Sequence, residues 1–466
     1  MEENQSQCLR FYTRKRKKNM SDLTTTSDKL SALPESLLHL ILSFLDMKQV
    51  IQTSCLSTKW RNIWRSVPVL NFNYSPLWKE SDTRKRICRN RLMDFVDCNR
   101  HMDFVDRVLF LRDDSGIQKL KLSRFFGYDL GRVDTWLLFV VKQQVKEVQL
   151  RIKAISEHYH QLPHLLFTSV IEVFEVKIPA SRCSVQLPNS MCSATHLRIL
   201  KLKNIILPKG NSDGELVVKC SFLEEMFLTH CSHHDLKILS ICAPQLNNLV
   251  IHNCHADSCK IKICTPNLTS LKLILSCYKE YFLESLSSLV TANIEVSELA
   301  TKFLMTILSG LHNAKTLTIS GYGHKTSPGC ADLLDQGLNT LSNLRYLEFI
   351  GFLPGVRDIT NLLKRFPHIE TLTFSCCCIE DKEEDWGEVL SMQNMFSHLK
   401  YIRVRAFNGC ENYVNLLEFL LKTAPGLLDM TITLSKAFSK SKKLDECTAK
   451  LHSLPRAASS AIILFT

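Results

Sequence analysis

Apolar residues follow two different spacings along this chain. Between residues 30 and 72 they recur at intervals of three and four, which is the period of an amphipathic helix. From residue 145 onward a six-residue pattern, apolar-x-x-apolar-x-apolar, returns twelve times. It starts at Val145, Ile171, Leu197, Leu223, Leu246, Leu268, Leu289, Ala314, Leu344, Ile369, Leu399 and Leu427. Each copy predicts one β-strand, and the N-terminal spacing predicts short helices.

Successive starts of the pattern lie 21 to 30 residues apart, mostly within the spacing of leucine-rich repeats. Unrelated helices would rarely give such triplets, because offsets of three and five do not fit a helical period. Two copies place Cys231 and Cys254 at the repeat position that takes asparagine or cysteine, so these cysteines are predicted to be structural. The expected fold class is α/β, with a short three-helix N-terminal unit followed by a curved leucine-rich-repeat solenoid with a parallel inner sheet. Such a sheet, about 50 Å long, suits a protein ligand.

Individual residues predict where the N-terminal helices begin. Pro34 suits the first turn of a helix, because the N–H group that proline lacks would have no partner there. The apolar residues that follow are predicted to share one broad buried face; they are Leu37, Leu38, Ile41, Leu42 and Leu45. Asp46 and Gln49 predict a capping box for a second helix, and Ser57 predicts a cap for a third. Three short helices cannot bury this much leucine and tryptophan among themselves, so a partner surface is predicted.

Residues 28–72 also carry a dense series of motif positions. They are Asp28, Leu30, Leu33 to Glu35, Leu37, Leu38, Ile41 to Leu45, Thr53, Ser54, Leu56, Ser57, Trp60, Arg61, Trp64 and Val67 to Leu70. With them the segment resembles the F-box of the large plant F-box family, although Thr58 and Lys59 stand where the family usually has two basic residues. The alternative is a leucine-rich helical hairpin that packs only on its own chain.

The F-box resemblance implies a docking site for a Skp-type adaptor and, through the adaptor, for a cullin. The residues that the resemblance assigns to this site are Leu33, Pro34, Leu37, Leu38, Ile41, Leu42, Leu45, Val50, Ser54, Leu56, Trp60 and Trp64.

A second group of motif residues lies at the C-terminal end. It comprises Leu399, Lys400, Phe407, Gly409, Glu411, Phe419 to Leu421, Ala424, Pro425, Leu454 to Ala457, Ser459, Ser460 and Ile462 to Phe465. These residues resemble the FBD region that follows the repeats in many plant F-box proteins, although no Pro-x-Cys precedes the first strand and Ala458 stands where serine is frequent. The expected domains are a disordered basic leader (1–27), the F-box (28–72), a linker with the N-terminal cap of the solenoid (73–140), the leucine-rich repeats (141–398), and the last repeats with an FBD-like cap (399–466).

Charge and cysteine content bear on location. The net charge is +12, and the only dense basic run, Arg14 to Lys18, is either a nuclear import signal or a solvated tail. The 19 cysteines are an odd number scattered along a long chain, which favours reduced thiols in the nucleus or cytoplasm. No apolar run is long enough to predict a membrane span.

Candidate chemistry is sparse. Histidines and cysteines concentrate in two adjacent repeats, but their spacing fits no standard zinc pattern. They are His230, Cys231, His233, His234, His252, Cys254, His255 and Cys259. The glycine-rich nucleotide motifs, GxSxG and HExxH do not occur. The sequence therefore predicts no catalytic residue, no cofactor and no metal.

The F-box resemblance implies a non-catalytic substrate-recognition subunit of an SCF-type (Skp-cullin-F-box) ubiquitin ligase. The F-box would dock the adaptor, and the repeats would bind a protein substrate for ubiquitination. Aromatic residues and arginine are the usual anchors of interfaces. On that basis the substrate-binding candidates are Phe227, Tyr346, Tyr401 and Arg403. The alternative is a non-catalytic repeat scaffold or a nucleic-acid-associated nuclear protein, although the mixed charges predicted for the inner sheet argue against a groove that tracks phosphates.

Overall fold

The N-terminal helices and a long parallel sheet share one continuous hydrophobic core in the computed structural model of the protein. The structure describes residues 30, 32–73, 91–154, 159–179, 185–233, 236–275, 277–296, 301–321, 340–351, 363–375, 396–436, 438–440 and 444–466. The predicted basic leader with Arg14 to Lys18 lies outside these residues, as does His234.

The first two N-terminal helices begin where the sequence predicts, whereas the third begins at Trp60 with Lys59, not Ser57, at its N-cap position. The helices with described bounds are α1 Glu35–Leu42, α2 Met47–Gln52, α3 Trp60–Ile63, α4 Arg91–Leu111, α5 Leu130–Lys142, α6 Thr301–Gly310, α7 Glu411–Thr423 and α8 Leu444–Ser453. Helix α1 begins directly after Pro34. The Gln49 N–H donates to Asp46 Oδ1 at 2.9 Å and the Asp46 N–H donates to Gln49 Oε1 at 3.2 Å, so the predicted capping box is confirmed.

The strands are numbered in chain order. They are β1 Val69–Asn73, β2 Lys119–Tyr128, β3 Glu147–Ala154, β4 His160–Gln161, β5 Val173–Lys177, β6 Val185–Gln186, β7 Ile199–Lys203, β8 Glu215–Val218, β9 Glu225–Thr229, β10 Ile238–Ile241, β11 Asn248–His252, β12 Ala256–Cys264, β13 Ser270–Ile274, β14 Tyr278–Glu284, β15 Thr291–Val296, β16 Thr316–Gly321, β17 Tyr346–Ile350, β18 Thr371–Ser375, β19 Tyr401–Phe407, β20 Asp429–Leu434 and β21 Ile462–Phe465.

Fifteen of these strands form one parallel sheet. Their order is β1-β2-β3-β5-β7-β9-β11-β13-β15-β16-β17-β18-β19-β20-β21. All twelve strands that the repeat pattern predicts are present, and each begins two residues after its pattern start, as β3 begins at Glu147 after Val145. The second and third apolar residues of each copy point into the core, while the positions between them face away from it, as Leu200 and Leu202 do around Lys201. The predicted solenoid with a parallel inner sheet is confirmed.

The sheet begins earlier than the expected boundary at residue 141. Strands β1 and β2 pair in parallel, with Val69 opposite Lys119 and Phe72 opposite Leu122. Both strands follow the repeat pattern, starting at Val67 and at Ile117. The longer segment between them, which contains α4, interrupts the regular spacing and hid them from the pattern. The segment expected to be a linker and cap therefore supplies strand β2 and helices α4 and α5 to the solenoid.

The outer side of the solenoid changes with repeat length. The three shortest repeats start at Leu223, Leu246 and Leu268, and they carry outer strands β10, β12 and β14. Together with β8 these strands form a second parallel sheet in the order β14-β12-β10-β8. Longer repeats carry helices such as α5, α6 and α7, because a short repeat lacks the residues for a helix and its connections. Among the described helices, none has the length and apolar content needed to cross a bilayer.

The C-terminal residues extend the main sheet by one strand. Strand β21 pairs with β20, placing Ile462 opposite Asp429. The FBD-like residues Leu454 to Ala457 connect α8 to this strand, and the Ala457 N–H donates to Leu421 O at 2.9 Å. Arg456 fixes the same turn, because its Nη1 donates to Ala461 O at 2.7 Å.

Candidate interaction surfaces

Helix α1 has two apolar stripes on different sides. Leu38 and Leu42 are 0% and 1% exposed and lie in the core. The second stripe consists of Leu37, Leu40, Ile41 and Phe44, which are 45%, 57%, 42% and 80% exposed. Its spacing of three, four and seven places these four residues in a row along the helix and the turn that follows it. The sequence prediction of one broad buried face is wrong, because Leu37 and Ile41 face solvent. We call these four residues the exposed stripe.

The twelve residues assigned to adaptor docking fall into three groups by exposure. Leu38, Leu42, Val50 and Trp60 are buried in the chain's own core, so they can support the docking surface but do not line it. Four further residues are half-buried; they are Leu33, Leu45, Ser54 and Trp64. Pro34, Leu37, Ile41 and Leu56 are exposed. Only the half-buried and the exposed residues can therefore contact a partner directly.

Sequence reasoning missed the most exposed member of this surface. Phe44, at 80%, is the most exposed large apolar side chain among residues 32–73, and Leu40 lies one turn before it. Their spacing from Leu37 was the available signal, but an amphipathic pattern does not say which of two apolar stripes a helix buries. A contiguous exposed apolar group of this kind is a candidate interaction site.

Polar contacts hold α1 against the segment around α3. The Ser66 hydroxyl donates to Glu35 Oε1 at 3.2 Å and lies 3.0 Å from His39 Nε2. Lys59, one of the two residues that depart from the F-box pattern, donates from Nζ to Leu33 O at 2.7 Å. These contacts fix the direction in which α1 presents the exposed stripe.

The helical unit is joined to the solenoid by strand β1 and by a half-buried arginine. Arg112, just after α4, donates from Nη1 to Val67 O at 2.7 Å and from Nη2 to Ser115 O at 3.1 Å. Burial lowers the pKa of the Arg112 guanidinium. Asn71 Nδ2 donates to Leu45 O at 3.4 Å from within β1. These contacts and the shared core join the helices to the repeats.

The inner face of the main sheet carries the four substrate-binding candidates in two separate groups. Phe227 lies on β9, where Lys201 Nζ sits 4.8 Å from its ring centroid. Tyr346 lies on β17, whereas Tyr401 and Arg403 lie on β19. Five strand intervals separate β9 from β17, a distance of about 24 Å. One small ligand could not contact both groups.

Sequence reasoning missed a buried carboxylate in the second group. Glu348 is 8% exposed and accepts three hydrogen bonds. Tyr346 donates its hydroxyl at 3.1 Å, Ser375 donates its hydroxyl at 3.1 Å, and Arg405 donates Nη1 at 2.9 Å. The carboxylate thereby positions Tyr346 and Arg405 on the inner face. No local pattern could reveal this, because the partners come from three different strands.

The histidines and cysteines of the two adjacent repeats serve mainly as packing residues. Cys231 and Cys254 are buried, and Cys254 Sγ donates to Leu228 O at 3.7 Å. Their predicted structural role is confirmed. His230 and His252 are in edge-to-face contact with ring centroids 5.7 Å apart. Within the described ranges, no three His, Cys, Asp or Glu side chains are arranged to hold a metal ion.

The fold and the helical unit together define a class: an F-box joined to a leucine-rich-repeat solenoid. The F-box domain family matches residues 30–72, and the family described as At1g61320/AtMIF1, LRR domain, matches residues 108–331. The chain thus combines an F-box domain with leucine-rich repeats, as proteins named F-box/LRR-repeat proteins in plants do.

Two relatives that match most of the chain are named for an F-box, and one of them is also named for leucine-rich repeats. An F-box/FBD/LRR-repeat protein of Arabidopsis thaliana is 24% identical over 94% of this chain and 99% of its own length. An FBD-associated F-box protein of the same plant is 26% identical over 94% of this chain and 96% of its own length. A further F-box protein of Arabidopsis is 41% identical, but over only 30% of this chain and 28% of its own length. The FBD in two of these names agrees with the resemblance of residues 399–466.

Proposed function

We propose that this chain is the substrate-recognition subunit of an SCF-type ubiquitin ligase. The observation that carries the proposal is the exposed stripe on an F-box: four large apolar side chains that the chain's own core leaves in solvent. A Skp-type adaptor would cover this stripe together with Leu56, and the adaptor would link the chain to a cullin. The inner face of the solenoid would hold the protein substrate.

Such a subunit would promote ubiquitination through proximity alone. Holding a substrate near the ubiquitin carrier raises the effective concentration of its lysines, and this requires no acid, base or nucleophile from the receptor. The packed joint at Arg112 and β1 suits this role, because a fixed angle between F-box and repeats fixes the distance from substrate to carrier. We propose that the chain itself is not an enzyme, and that it acts in the nucleus or cytoplasm.

Adaptor binding tests the proposal with two substitutions of the same kind. Phe44→Ala removes the most exposed residue of the stripe, and Phe222→Ala removes an exposed phenylalanine between β8 and β9. Full burial of such a side chain contributes about 1.5 to 3 kcal/mol. The affinity of the full chain for a recombinant Skp-type adaptor should therefore fall by about tenfold to 150-fold with Phe44→Ala.

Phe222→Ala serves as the matched control, because it removes the same side chain from the solenoid. It should leave adaptor affinity unchanged. Equal affinity of the Phe44→Ala variant and the unaltered chain would show that the exposed stripe is not the docking surface. Absence of adaptor binding by the unaltered chain would reject the SCF assignment as a whole.

A further inference from the structure

Three positively charged residues lie directly beside one another on the inner face. Arg151 on β3 is paired in register with Lys177 on β5, and Lys177 is paired with Lys203 on β7. All three side chains are exposed. We call them the basic row. Since neighbouring parallel strands are about 4.8 Å apart, the row spans about 10 Å across the sheet.

Such a row has a cost for folding. Like charges directly opposite on neighbouring strands repel each other and destabilise the sheet. Binding of a ligand of opposite charge over the row would offset this destabilisation.

Carboxylates on the inner face compensate the row only in part. Glu175 forms an ion pair with Lys177, and Glu225 lies 3.5 Å from Lys201. Glu147 lies 2.9 Å from Lys119 on β2. For Lys203 the described residues provide no carboxylate within ion-pair distance. The row therefore keeps excess positive charge at its β7 end.

A histidine lies beside the β7 end of the row, and its pKa reflects the same positive charge. His230 follows β9, and its pKa is lowered first by burial and then by the positive charge of His252, Lys203 and His255. This agrees with an electropositive environment around Lys203 that an anionic ligand would relieve.

An apolar anchor lies one strand beyond the row. Phe227 on β9 is next to Lys201 on β7, and Val250 on β11 continues the apolar surface at the matching position of the next strand. Lys201 Nζ lies over the Phe227 ring, so the aromatic face and the cations form one surface. The repeats thus place charge and an apolar contact side by side on four consecutive strands of the inner sheet.

We propose that the basic row and Phe227 bind an acidic segment of the protein substrate. Resting on the proposed function, this assigns the substrate class: a short run of Asp or Glu residues followed by an apolar residue. An extended chain advances about 3.3 Å per residue, so three or four acidic residues match the length of the row. The apolar side chain then packs against Phe227.

A nucleic acid fits these residues less well. Channels for single strands combine a long basic groove with several aromatic residues on which bases stack. Here the cations occupy about 10 Å, Glu175 forms an ion pair with the middle one, and one aromatic residue lies beside them.

The test uses the full chain bound to its adaptor and a fluorescein-labelled peptide of four glutamates followed by phenylalanine. The double variant Lys177→Glu with Lys203→Glu reverses two charges of the row. The control variant Lys219→Glu with Lys237→Glu makes the same change of net charge beside the outer strands β8 and β10. The row variant should bind the peptide at least about tenfold more weakly, and raised salt should weaken binding by the unaltered chain. The control should bind within about twofold of the unaltered chain.

Three results would overturn the inference: no peptide binding by the unaltered chain, equal affinity of row variant and unaltered chain, or tighter binding of a single-stranded oligonucleotide that the row variant loses. The last would assign the row to nucleic acid. Adaptor affinity, measured on every variant, separates this inference from the proposed function. If the unaltered chain fails to bind adaptor, the SCF assignment fails; peptide affinity measured on the free chain then reports on the row alone.

Discussion

The exposed stripe and the inner face of the solenoid leave opposite kinds of side chain in solvent. On the stripe, four large apolar residues adjoin one another within about two helical turns. On the inner face, the side chains between the core positions mostly carry charged or hydroxyl groups, as in the basic row and around Glu348. Apolar burial supplies affinity, whereas charge arrangement supplies selectivity. The difference suits the proposed adaptor on one surface and the proposed substrate on the other.

The largest expected effect is a difference in stability between substitutions in the buried stripe and in the exposed stripe of α1. Leu38→Ala leaves a cavity in the core and should lower the local free energy of unfolding of α1 by about 2 to 5 kcal/mol. Leu37→Ala removes a side chain that faces solvent and should change it by less than about 0.5 kcal/mol. Hydrogen exchange of the α1 amides measures both values. Equal effects of the two substitutions would show that α1 does not bury one stripe and expose the other.

A smaller effect is expected at the joint between the two regions. Arg112→Ala removes hydrogen bonds to Val67 O and Ser115 O. Hydrogen bonds from a charged donor contribute about 1.5 to 3 kcal/mol. The free energy of opening at the β1 amides should fall by about this amount, so these amides should exchange faster. Arg61→Ala, at an exposed position of α3, is the control and should leave β1 unchanged. Unchanged exchange in Arg112→Ala would mean that strand pairing alone fixes the joint.

The smallest expected effect concerns the reactivity of thiols in the two regions toward alkylation. Cys55 is exposed beside Leu56, whereas Cys192 and Cys220 are buried in the solenoid. Burial raises the pKa of Cys192 to about 12 and that of Cys220 to about 11. Because the thiolate is the reactive form, at pH 8 iodoacetamide should alkylate Cys55 while leaving both buried thiols unmodified; peptide mass spectrometry follows each site.

The adaptor should then slow the alkylation of Cys55, since this residue adjoins the proposed docking surface. Unchanged labelling of Cys55 in the complex would place the adaptor elsewhere. Rapid labelling of Cys192 or Cys220 would contradict the burial of the core.

The repeat pattern was sufficient to predict twelve strands, because each copy carries the same three apolar positions that a parallel strand buries. Strands β1 and β2 have the same pattern, but the segment containing α4 breaks its spacing. On α1, spacing revealed apolar residues but not which stripe would lie inside, since that depends on how the helix packs into the rest of the core.

The inner-face sites were less accessible to sequence analysis for a related reason. Glu348 and Arg405 are 57 residues apart and meet only because β17 and β19 flank β18. The basic row likewise requires the register that aligns Arg151, Lys177 and Lys203. Within any one repeat, each of these cations is an ordinary exposed residue.

The assignment of the two surfaces is tested most directly by measuring adaptor affinity and peptide affinity on the same two variants. Phe44→Ala with Leu37→Ala alters the exposed stripe, and Lys177→Glu with Lys203→Glu alters the basic row. We predict that the stripe variant loses adaptor and keeps the acidic peptide, while the row variant keeps adaptor and loses the peptide. Loss of the peptide by the stripe variant, loss of adaptor by the row variant, or adaptor binding by both variants would contradict the assignment of the two surfaces.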